Sequence, residues 1–168
     1  MMINFLRTNK GARYVLTLIR IYLGFVWLQA SWGKITGSFD ATGYLKGALS
    51  KAEGEHPAVQ SWWANFIEHV ALPNVSIINF LVPWGEFLVG VALILGVFTT
   101  FSVLMGLIMN FSYIFSGSAG QNPSMIILGF LIIVAGSNAA VLGLDRWIFR
   151  HTNQDEVKSQ AKKPALHH

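Results

Sequence analysis

The sequence predicts an all-α protein, a polytopic membrane four-helix bundle whose two termini are cytoplasmic. The first observation behind this fold class is composition, because 53% of the 168 residues are hydrophobic and 12% are charged. A soluble domain has about 25% charged residues. The second observation is that Glu86 is the one formally charged residue between Glu68 and Asp145. So few charges cannot cover a water-facing surface, so we expect lipid around most of the chain.

Turn-forming residues divide the apolar sequence into spans. About 20 helical residues, at 1.5 Å per residue, cross about 30 Å of hydrocarbon. The segments 96–100 and 117–123 contain glycine or proline and interrupt the long apolar run. The prediction is a cytoplasmic flank (1–13), a transmembrane domain (14–150) with spans at about 14–32, 75–96, 100–116 and 124–144, an outer loop (33–74), and a flexible basic tail (151–168).

The first span follows a basic flank, as the apolar core of a secretion signal would. However, Arg20 interrupts this apolar stretch, and the tripeptide Leu28-Gln29-Ala30 is a poor cleavage site. We therefore expect the first span to be retained as a membrane helix.

Basic residues set the expected orientation. An even number of spans puts both ends on one side, where eight Lys and Arg residues collect, against three in the outer loop. Lys and Arg favour the cytoplasmic side. The eight are Arg7, Lys10, Arg13, Arg146, Arg150, Lys158, Lys162 and Lys163. We therefore interpret the net charge of +4 as a topology signal in a bacterial or archaeal cell membrane, and expect no nucleic-acid partner.

The outer loop contains a pattern typical of an amphipathic helix. Pro57 suits a first helical turn, and apolar residues then recur at helical spacing. The residues of this stripe are Val59, Trp62, Trp63, Phe66, Ile67 and Val70. One interpretation is an interfacial anchor in the outer leaflet. The other is a lid over a site that opens outward.

Two ionisable residues, Arg20 and Glu86, fall inside predicted spans. A charge in hydrocarbon is costly, so each should face the bundle interior and find a partner. We expect Arg20 and Glu86 to approach one another. The alternative for Arg20 is that its long side chain reaches the cytoplasmic headgroups; Glu86 has no such route and is the strongest functional pointer in the sequence.

Polar and small residues share a helix face with each of these charges. Taken singly, they indicate close helix packing and interhelical hydrogen bonds. Taken together, they give the bundle a polar, partly aromatic interior that suits a small molecule. They are Gly24, Trp27, Ser31 and Lys34 beside Arg20; Asn79, Pro83 and Gly90 beside Glu86; and Asn110, Tyr113, Ser137 and Asn138 on the last two spans.

Several chemistries lack their residues. The chain has no cysteine, which removes disulfides and thiolate chemistry. No histidine falls within a predicted span, as an axial haem ligand would require. The sequence also shows no metal or flavin site, and no internal repeat typical of a transporter. A catalytic site would therefore depend on Arg, Glu, Lys, Trp, Asn and Tyr together with a bound organic acceptor.

Four short segments resemble one family when they are taken in order. They are Leu18-Ile19-Arg20 with Gly24 and Trp32-Gly33-Lys34, then 83–90 (PWGEFLVG), 117–123 (GSAGQNP) and 143–147 (GLDRW). Over about residues 14–150 the chain resembles the DoxX/DoxD family of small four-helix membrane proteins. The nearest likeness is to the large, DoxD-type subunit of thiosulfate:quinone oxidoreductase.

The resemblance implies a membrane oxidoreductase subunit that passes electrons from a small reduced, thiosulfate-like sulfur donor to membrane quinone. It also implies a second small subunit, and a homo-oligomer is the other possible assembly. Within that activity, Glu86 and Arg20 are the expected catalytic residues. The expected substrate- or quinone-binding residues are Trp27, Lys34, Asn79, Trp84 and Asn110. Two alternatives stay open: a non-catalytic anchor or assembly subunit of a redox complex, and a carrier of small solutes or lipids.

Overall fold

The computed structural model describes residues 1–147, and all regular structure in that range is helical, as predicted. The helices in chain order are α1 (Met2–Thr8), α2 (Lys10–Thr36), α3 (Thr42–Ser50), α4 (Ser61–Phe66), α5 (Val75–Leu95), α6 (Thr99–Phe115), α7 (Asn122–Ala135) and α8 (Ser137–Ala140). A π-helical turn, Ile67–Ala71, directly continues α4. The predicted tail, 151–168, lies outside the described residues.

Two of these helices have the length and composition of a membrane span. They are α2, with 27 residues, and α5, with 21. At 1.5 Å per residue they are about 40 Å and about 32 Å long, against about 30 Å of hydrocarbon. The apolar helices α6 and α7 are shorter, with 17 and 14 residues.

The last apolar helix ends earlier than predicted. The sequence predicts a span over 124–144, whereas α7 stops at Ala135 and the short α8 follows. The reason is Gly136, which has φ 58° and ψ −131°, a conformation that disfavours side chains with a Cβ. Space is open where its Cβ would lie. Gly136 therefore ends the helix.

The long helices α2 and α5 run antiparallel and touch through glycine. A Cβ on Gly24 would lie 2.8 Å from the carbonyl oxygen of Gly90, and a Cβ on Gly90 would lie 2.9 Å from that of Gly24. No real Cβ is tolerated at such distances from backbone, so both positions need glycine. This confirms the close-packing interpretation for these two residues.

The other helix contacts close a ring, because α6 packs against α5 and α7, and α7 also packs against α2. Buried apolar side chains fill the space between them. The buried core comprises Ala12, Leu16, Leu23, Trp27, Val89, Leu93, Val103, Leu107, Met125, Ile132, Ala135 and Ala139.

The start of α2 and the end of α7 lie at the same end of this helix cluster. The amide of Asn138 donates to the carbonyl oxygens of Leu6 and Asn9, at 2.7 and 3.1 Å, and its oxygen accepts from Arg13 at 3.0 Å. The prediction that Asn138 makes interhelical hydrogen bonds is confirmed. We call this end the Arg20 end, and the opposite end, where α2 finishes, the Lys34 end.

The predicted outer loop folds into a cap on the Lys34 end. Helix α3 and the π-helical turn share a small core formed by Ala41, Leu45, Ala48, Ile67 and Ala71. Trp63 donates its indole N–H to the hydroxyl oxygen of Ser116, at 2.9 Å, and Trp62 meets the ring of Phe115 edge-on. The cap therefore packs onto the end of α6.

The predicted amphipathic stripe is split in the structure. Val59 and Ile67 are buried, whereas Trp62, Phe66 and Val70 are exposed. Trp62, Phe66 and Val70 recur every four residues and form the exposed face, whereas Ile67 lies on the opposite, buried side together with Ala71. Val59 precedes α4, so helical spacing does not place it on either face.

Candidate functional site

A buried ion pair joins α2 to α5 at the Lys34 end. The Lys34 ammonium donates to both carboxylate oxygens of Glu86, at 2.7 and 2.6 Å. The Glu86 side chain is 1% exposed and the Lys34 side chain 24% exposed. Within residues 1–147 no other ion pair is this close. The lone carboxylate singled out from the sequence is therefore charge-paired, and its partner is the lysine.

Tyr113 of α6 completes this cluster. Its hydroxyl donates to Glu86 Oε1 at 2.5 Å, so one carboxylate oxygen receives two hydrogen bonds. The rings of Phe39 and Tyr113 lie 5.9 and 5.7 Å from the Lys34 ammonium, within range of a cation–π contact. An ammonium has three N–H donors, and Glu86 takes two. The third remains for an acceptor at the exposed edge of Lys34.

Local sequence explains how these groups reach one another. Lys34 lies in the last turn of α2, where the negative end of the helix dipole favours a cation. Glu86 lies one turn after Pro83 on the buried face of α5. Tyr113 lies near the end of α6. Because α5 runs antiparallel to both α2 and α6, its middle, where Glu86 lies, meets the last turns of the two other helices.

A short segment of polar residues borders the cluster. Asn79 accepts a hydrogen bond from the backbone N–H of Ala41, at 2.8 Å, and donates one to Asp40, at 3.2 Å. The backbone and hydroxyl of Thr42 also donate to Asp40, and these bonds, with that from Asn79, hold the pKa of Asp40 below its ordinary value. Burial raises the pKa of Tyr44, whose ring packs edge-on against Tyr113 at 6.0 Å.

The expected approach of Arg20 and Glu86 is wrong. Arg20 is 1% exposed and donates to the carbonyl oxygen of Leu142, at 2.9 Å. It lies 14 residues before Lys34 on α2, about 21 Å away along the helix axis. The Arg20 side chain does not reach the headgroups either, because its guanidinium is buried. Antiparallel packing puts Arg20 beside Gly96, ten residues after Glu86 on α5.

Asp145 forms a second buried polar contact near Arg20. Its carboxylate accepts hydrogen bonds from the backbone N–H groups of Phe98, at 2.6 Å, and Thr99, at 2.8 Å. These are the first amides of α6, so Asp145 acts as an N-cap from a distant part of the chain. Phe98 has φ 47°, a strained value for a residue with a Cβ. The segment 143–147 is part of the family resemblance, but the sequence alone predicts no role for Asp145.

The two tryptophans expected to bind quinone, Trp27 and Trp84, do not face one another. Trp27 is 4% exposed and packs over Gly106, whereas Trp84 is 43% exposed beside Phe80 and Phe87. Trp84 and Glu86 are two residues apart, so they project from nearly opposite sides of α5. Trp27 and Trp84 therefore cannot enclose one ring.

The cavity beside Trp27 is small. It is lined mainly by apolar side chains and has room for about one water molecule. Asn110 also lines it, is 2% exposed, and has no partner for its side-chain oxygen among the described residues. A quinone ring does not fit this space, so the polar, partly aromatic interior expected from the sequence does not form a quinone-sized cavity beside Trp27 and Asn110.

The structure brings together only some of the residues that the sequence predicts for the site. Glu86 and Lys34 meet directly, and Asn79 lies at the border of their cluster. Arg20, Trp27, Trp84 and Asn110 lie elsewhere. Tyr113 and Asp40 belong to the cluster but were not among the predicted site residues. The sequence marks Tyr113 only as a polar residue of the third span. No group of three or more His, Cys, Asp or Glu residues with metal-site geometry occurs in residues 1–147.

Comparison with known proteins assigns the chain to a family. The DoxX family model matches residues 15–119, which is more than half of the chain and includes Lys34, Glu86 and Tyr113. No curated protein and no solved structure matches the sequence. The family match confirms the DoxX part of the resemblance seen in the sequence, and with the apolar helices it shows that the chain is a membrane protein belonging to the DoxX family.

Proposed function

We propose that this protein is a membrane oxidoreductase subunit that passes electrons from a small reduced sulfur anion to membrane quinone. In this proposal α2, α5, α6 and α7 form a four-helix bundle in the cell membrane of a bacterium or archaeon. Both termini are cytoplasmic, so the Lys34 end faces outward. The observation that carries the proposal is the buried carboxylate of Glu86, bonded to Lys34 and Tyr113.

A quinone becomes a quinol by taking up two electrons and two protons. Glu86 and Tyr113 share a hydrogen bond of 2.5 Å, in which the hydroxyl carries the proton and the carboxylate can accept one. A carboxylate held in a dry environment is suited to accept and release a proton next to a reacting group. We therefore assign Glu86 the proton-relay role and Tyr113 the role of its partner.

The electrons come from the sulfur donor. Two thiosulfate ions joined through a new S–S bond give tetrathionate and release two electrons, which balances the reduction of one quinone. Lys34 has one N–H beyond those given to Glu86, and 24% of its side chain is exposed. Lys34 is therefore the cation that a small oxyanion would meet at this end of the protein.

The quinone head group needs space that the cavity beside Trp27 lacks. The proposal therefore has it reach the exposed edge of Lys34, near Tyr44 and Tyr113, rather than the interior. Trp84 offers an exposed aromatic face on α5 for the approach through lipid. Arg20, Trp27 and Asn110 take no part, because they lie away from this cluster.

The test is turnover by the purified protein in detergent with thiosulfate and a soluble quinone analogue, with each omitted in turn. Glu86→Gln should abolish quinone reduction because the relay loses its carboxylate. The matched control is Glu68→Gln, which changes an exposed glutamate of the cap and should keep wild-type turnover. Wild-type turnover in folded Glu86→Gln would overturn the proposal.

A second candidate is a non-catalytic anchor or assembly subunit of a redox complex. The observation in its favour is that Lys34 and Glu86 satisfy one another, and buried polar pairs are known to fix register and assembly. This candidate predicts that the purified chain has no turnover with thiosulfate and quinone. It also predicts that a redox partner co-purifies with wild-type protein and is lost in Glu86→Gln.

A further inference from the structure

The segment that joins α2 to α3, residues 37–41, lies beside the ion pair. We call it the strap. Its Phe39 ring is 5.9 Å from the Lys34 ammonium. The other ring near Lys34 belongs to Tyr113, which is held within α6. Of the two rings beside Lys34, Phe39 is therefore the one that lies on a connecting segment and not on a helix.

The ion pair can be reached from one direction. The Glu86 side chain is 1% exposed, and the exposed quarter of Lys34 is the part of the pair open to solvent. Any ligand that contacts the pair must therefore pass the Lys34 edge. Since Phe39 packs on Lys34, the position of the strap decides how wide this approach is.

One side chain fastens the strap to α5. Asn79 accepts from the backbone N–H of Ala41 and donates to the carboxylate of Asp40. Both of these bonds end on the same amide. The opposite side of the cap is held separately, by Trp63 on Ser116 and by Lys51 on the carbonyl of Gly117. Loss of Asn79 would therefore loosen the strap, which stays joined to the cap core through Ala41 and Phe39, while the cap keeps its other attachments.

The strap itself is suited to a local movement. It begins at Gly37, where α2 ends in extended backbone, and Gly37 and Ser38 are exposed. Its non-helical backbone has few bonds to lose, and exposed segments of this kind open more readily than helices. Its far half is held by the two hydrogen bonds to Asn79, by the cation–π contact of Phe39, and by packing of Phe39 and the buried Ala41 in the cap core.

We propose that the strap is a gate through which a small anion reaches Lys34, and that Asn79 is its latch. Displacement of Phe39 uncovers the ammonium and its third N–H. The gate regulates the site of the proposed function and rests on it, but its opening does not require turnover. Asn79, expected from the sequence to bind quinone, is in this proposal a positioning residue.

The experiment measures how fast Lys34 is acylated by a charged, membrane-impermeant, amine-reactive reagent. The full chain is labelled in detergent, and peptide mass spectrometry gives the extent of acylation at each lysine. Lys46 and Lys51 of the cap serve as internal references. Asn79→Ala should raise the acylation rate of Lys34 relative to these references by about tenfold, the effect of losing one or two hydrogen bonds. Asn65→Ala, which alters an exposed asparagine of α4, is the matched control and should change nothing.

A second variant keeps the proposal testable if Asn79→Ala fails to fold. Phe39→Ala removes the covering ring without changing the latch, and it too should raise Lys34 acylation. Equal acylation of Lys34 in wild type and in every folded variant of this pair overturns the gate.

Turnover is measured in parallel. In active protein, Asn79→Ala should alter the KM for thiosulfate with kcat retained, whereas a purely structural role would lower only stability. If wild type is inactive, the proposed function fails but the acylation result still decides the gate. If wild type is active and acylation is unchanged in the variants, the gate alone fails.

Discussion

Lys34 and Glu86 meet across the interface between α2 and α5 with both carboxylate oxygens within 2.7 Å of the ammonium nitrogen. The pair is asymmetric, since the lysine is partly exposed and the glutamate is fully buried. The glutamate therefore depends on the lysine and on Tyr113 for its charge, whereas the lysine retains access to water. This asymmetry determines what each substitution in the cluster should do.

Removal of Lys34 should be more harmful than removal of the whole pair. Lys34→Met leaves a buried carboxylate without its cation, and breaking a buried pair costs up to about 3–5 kcal/mol. The double variant Lys34→Met with Glu86→Leu removes both charges and should recover much of that loss. Thermal unfolding in detergent measures both effects. Lys46→Met, an exposed lysine of α3, is the control; additive losses in the double variant would contradict this account.

Tyr113→Phe should destabilise the protein and perturb the proton chemistry together. The substitution removes one donor to a charged, buried oxygen, which costs about 1.5–3 kcal/mol. In active protein turnover per folded molecule should also fall, because Glu86 loses its hydrogen-bonded partner in the proposed proton relay. The control is Tyr22→Phe, since Tyr22 is 55% exposed. Turnover per folded molecule equal to wild type would show that Tyr113 has a structural role only.

Glycine at the contact between α2 and α5 should be intolerant of a methyl group. Gly24→Ala places a Cβ 2.8 Å from the backbone oxygen of Gly90, and overpacking of this kind costs about 1–3 kcal/mol. Gly33→Ala is the matched control in the same helix, where nothing lies within 4 Å. It should be neutral or stabilising by about 0.5–1 kcal/mol. Equal melting temperatures for the two variants would mean that the helices separate without cost.

The sequence predicts which side of a helix is buried, but not which residues of two neighbouring helices lie opposite one another. Arg20, Gly24, Trp27, Ser31 and Lys34 were expected on one stripe of α2, and the structure buries the first four and partly buries Lys34. Helical periodicity fixes such a face directly. Which residue of α5 lies opposite depends on helix register, and that is set by packing at contacts such as Gly24 with Gly90. Glu86 was therefore found, but its partner was taken to be Arg20.

Helix ends were also hard to obtain from hydropathy. The residues 124–144 are apolar enough to suggest one continuous span, yet the sequence Gly136-Ser137-Asn138 interrupts it. Glycine followed by serine and asparagine is a recognisable end-and-restart signal. Asp145 is different, because its targets lie 46 and 47 residues earlier in the chain. No local pattern identifies a cap over that separation.

Arg20→Ala should weaken folding without removing turnover. Arg20 supports Leu142 and lies against Gly96 and Gly143, which ties α2 to the turn before α6, far from Lys34. We expect a lower melting temperature, with kcat per folded molecule unchanged. Asp145→Ala should likewise lower the melting temperature, because loss of an N-cap costs about 1–2 kcal/mol of stability. Asp145→Asn keeps one acceptor oxygen, so its melting temperature should fall less. Folded but inactive Arg20→Ala would restore the catalytic role that the sequence suggested.

The strap should stay attached through neutral and mildly acidic pH. The bonds from Thr42, then that from Asn79, hold the pKa of Asp40 below the usual 3.8. A carboxyl group whose pKa is lowered by folding contributes stability above its unfolded pKa, and the contribution disappears as the pH falls through the folded value. Asp40→Asn should therefore lower the melting temperature slightly near pH 7, and the difference from wild type should disappear as the pH falls through the lowered pKa of Asp40. Carbon NMR of labelled aspartate measures the pKa directly, with Glu55→Gln as an exposed control for the melting curves. An Asp40 pKa at or above its ordinary value would show that Thr42 and Asn79 do not hold the strap in solution.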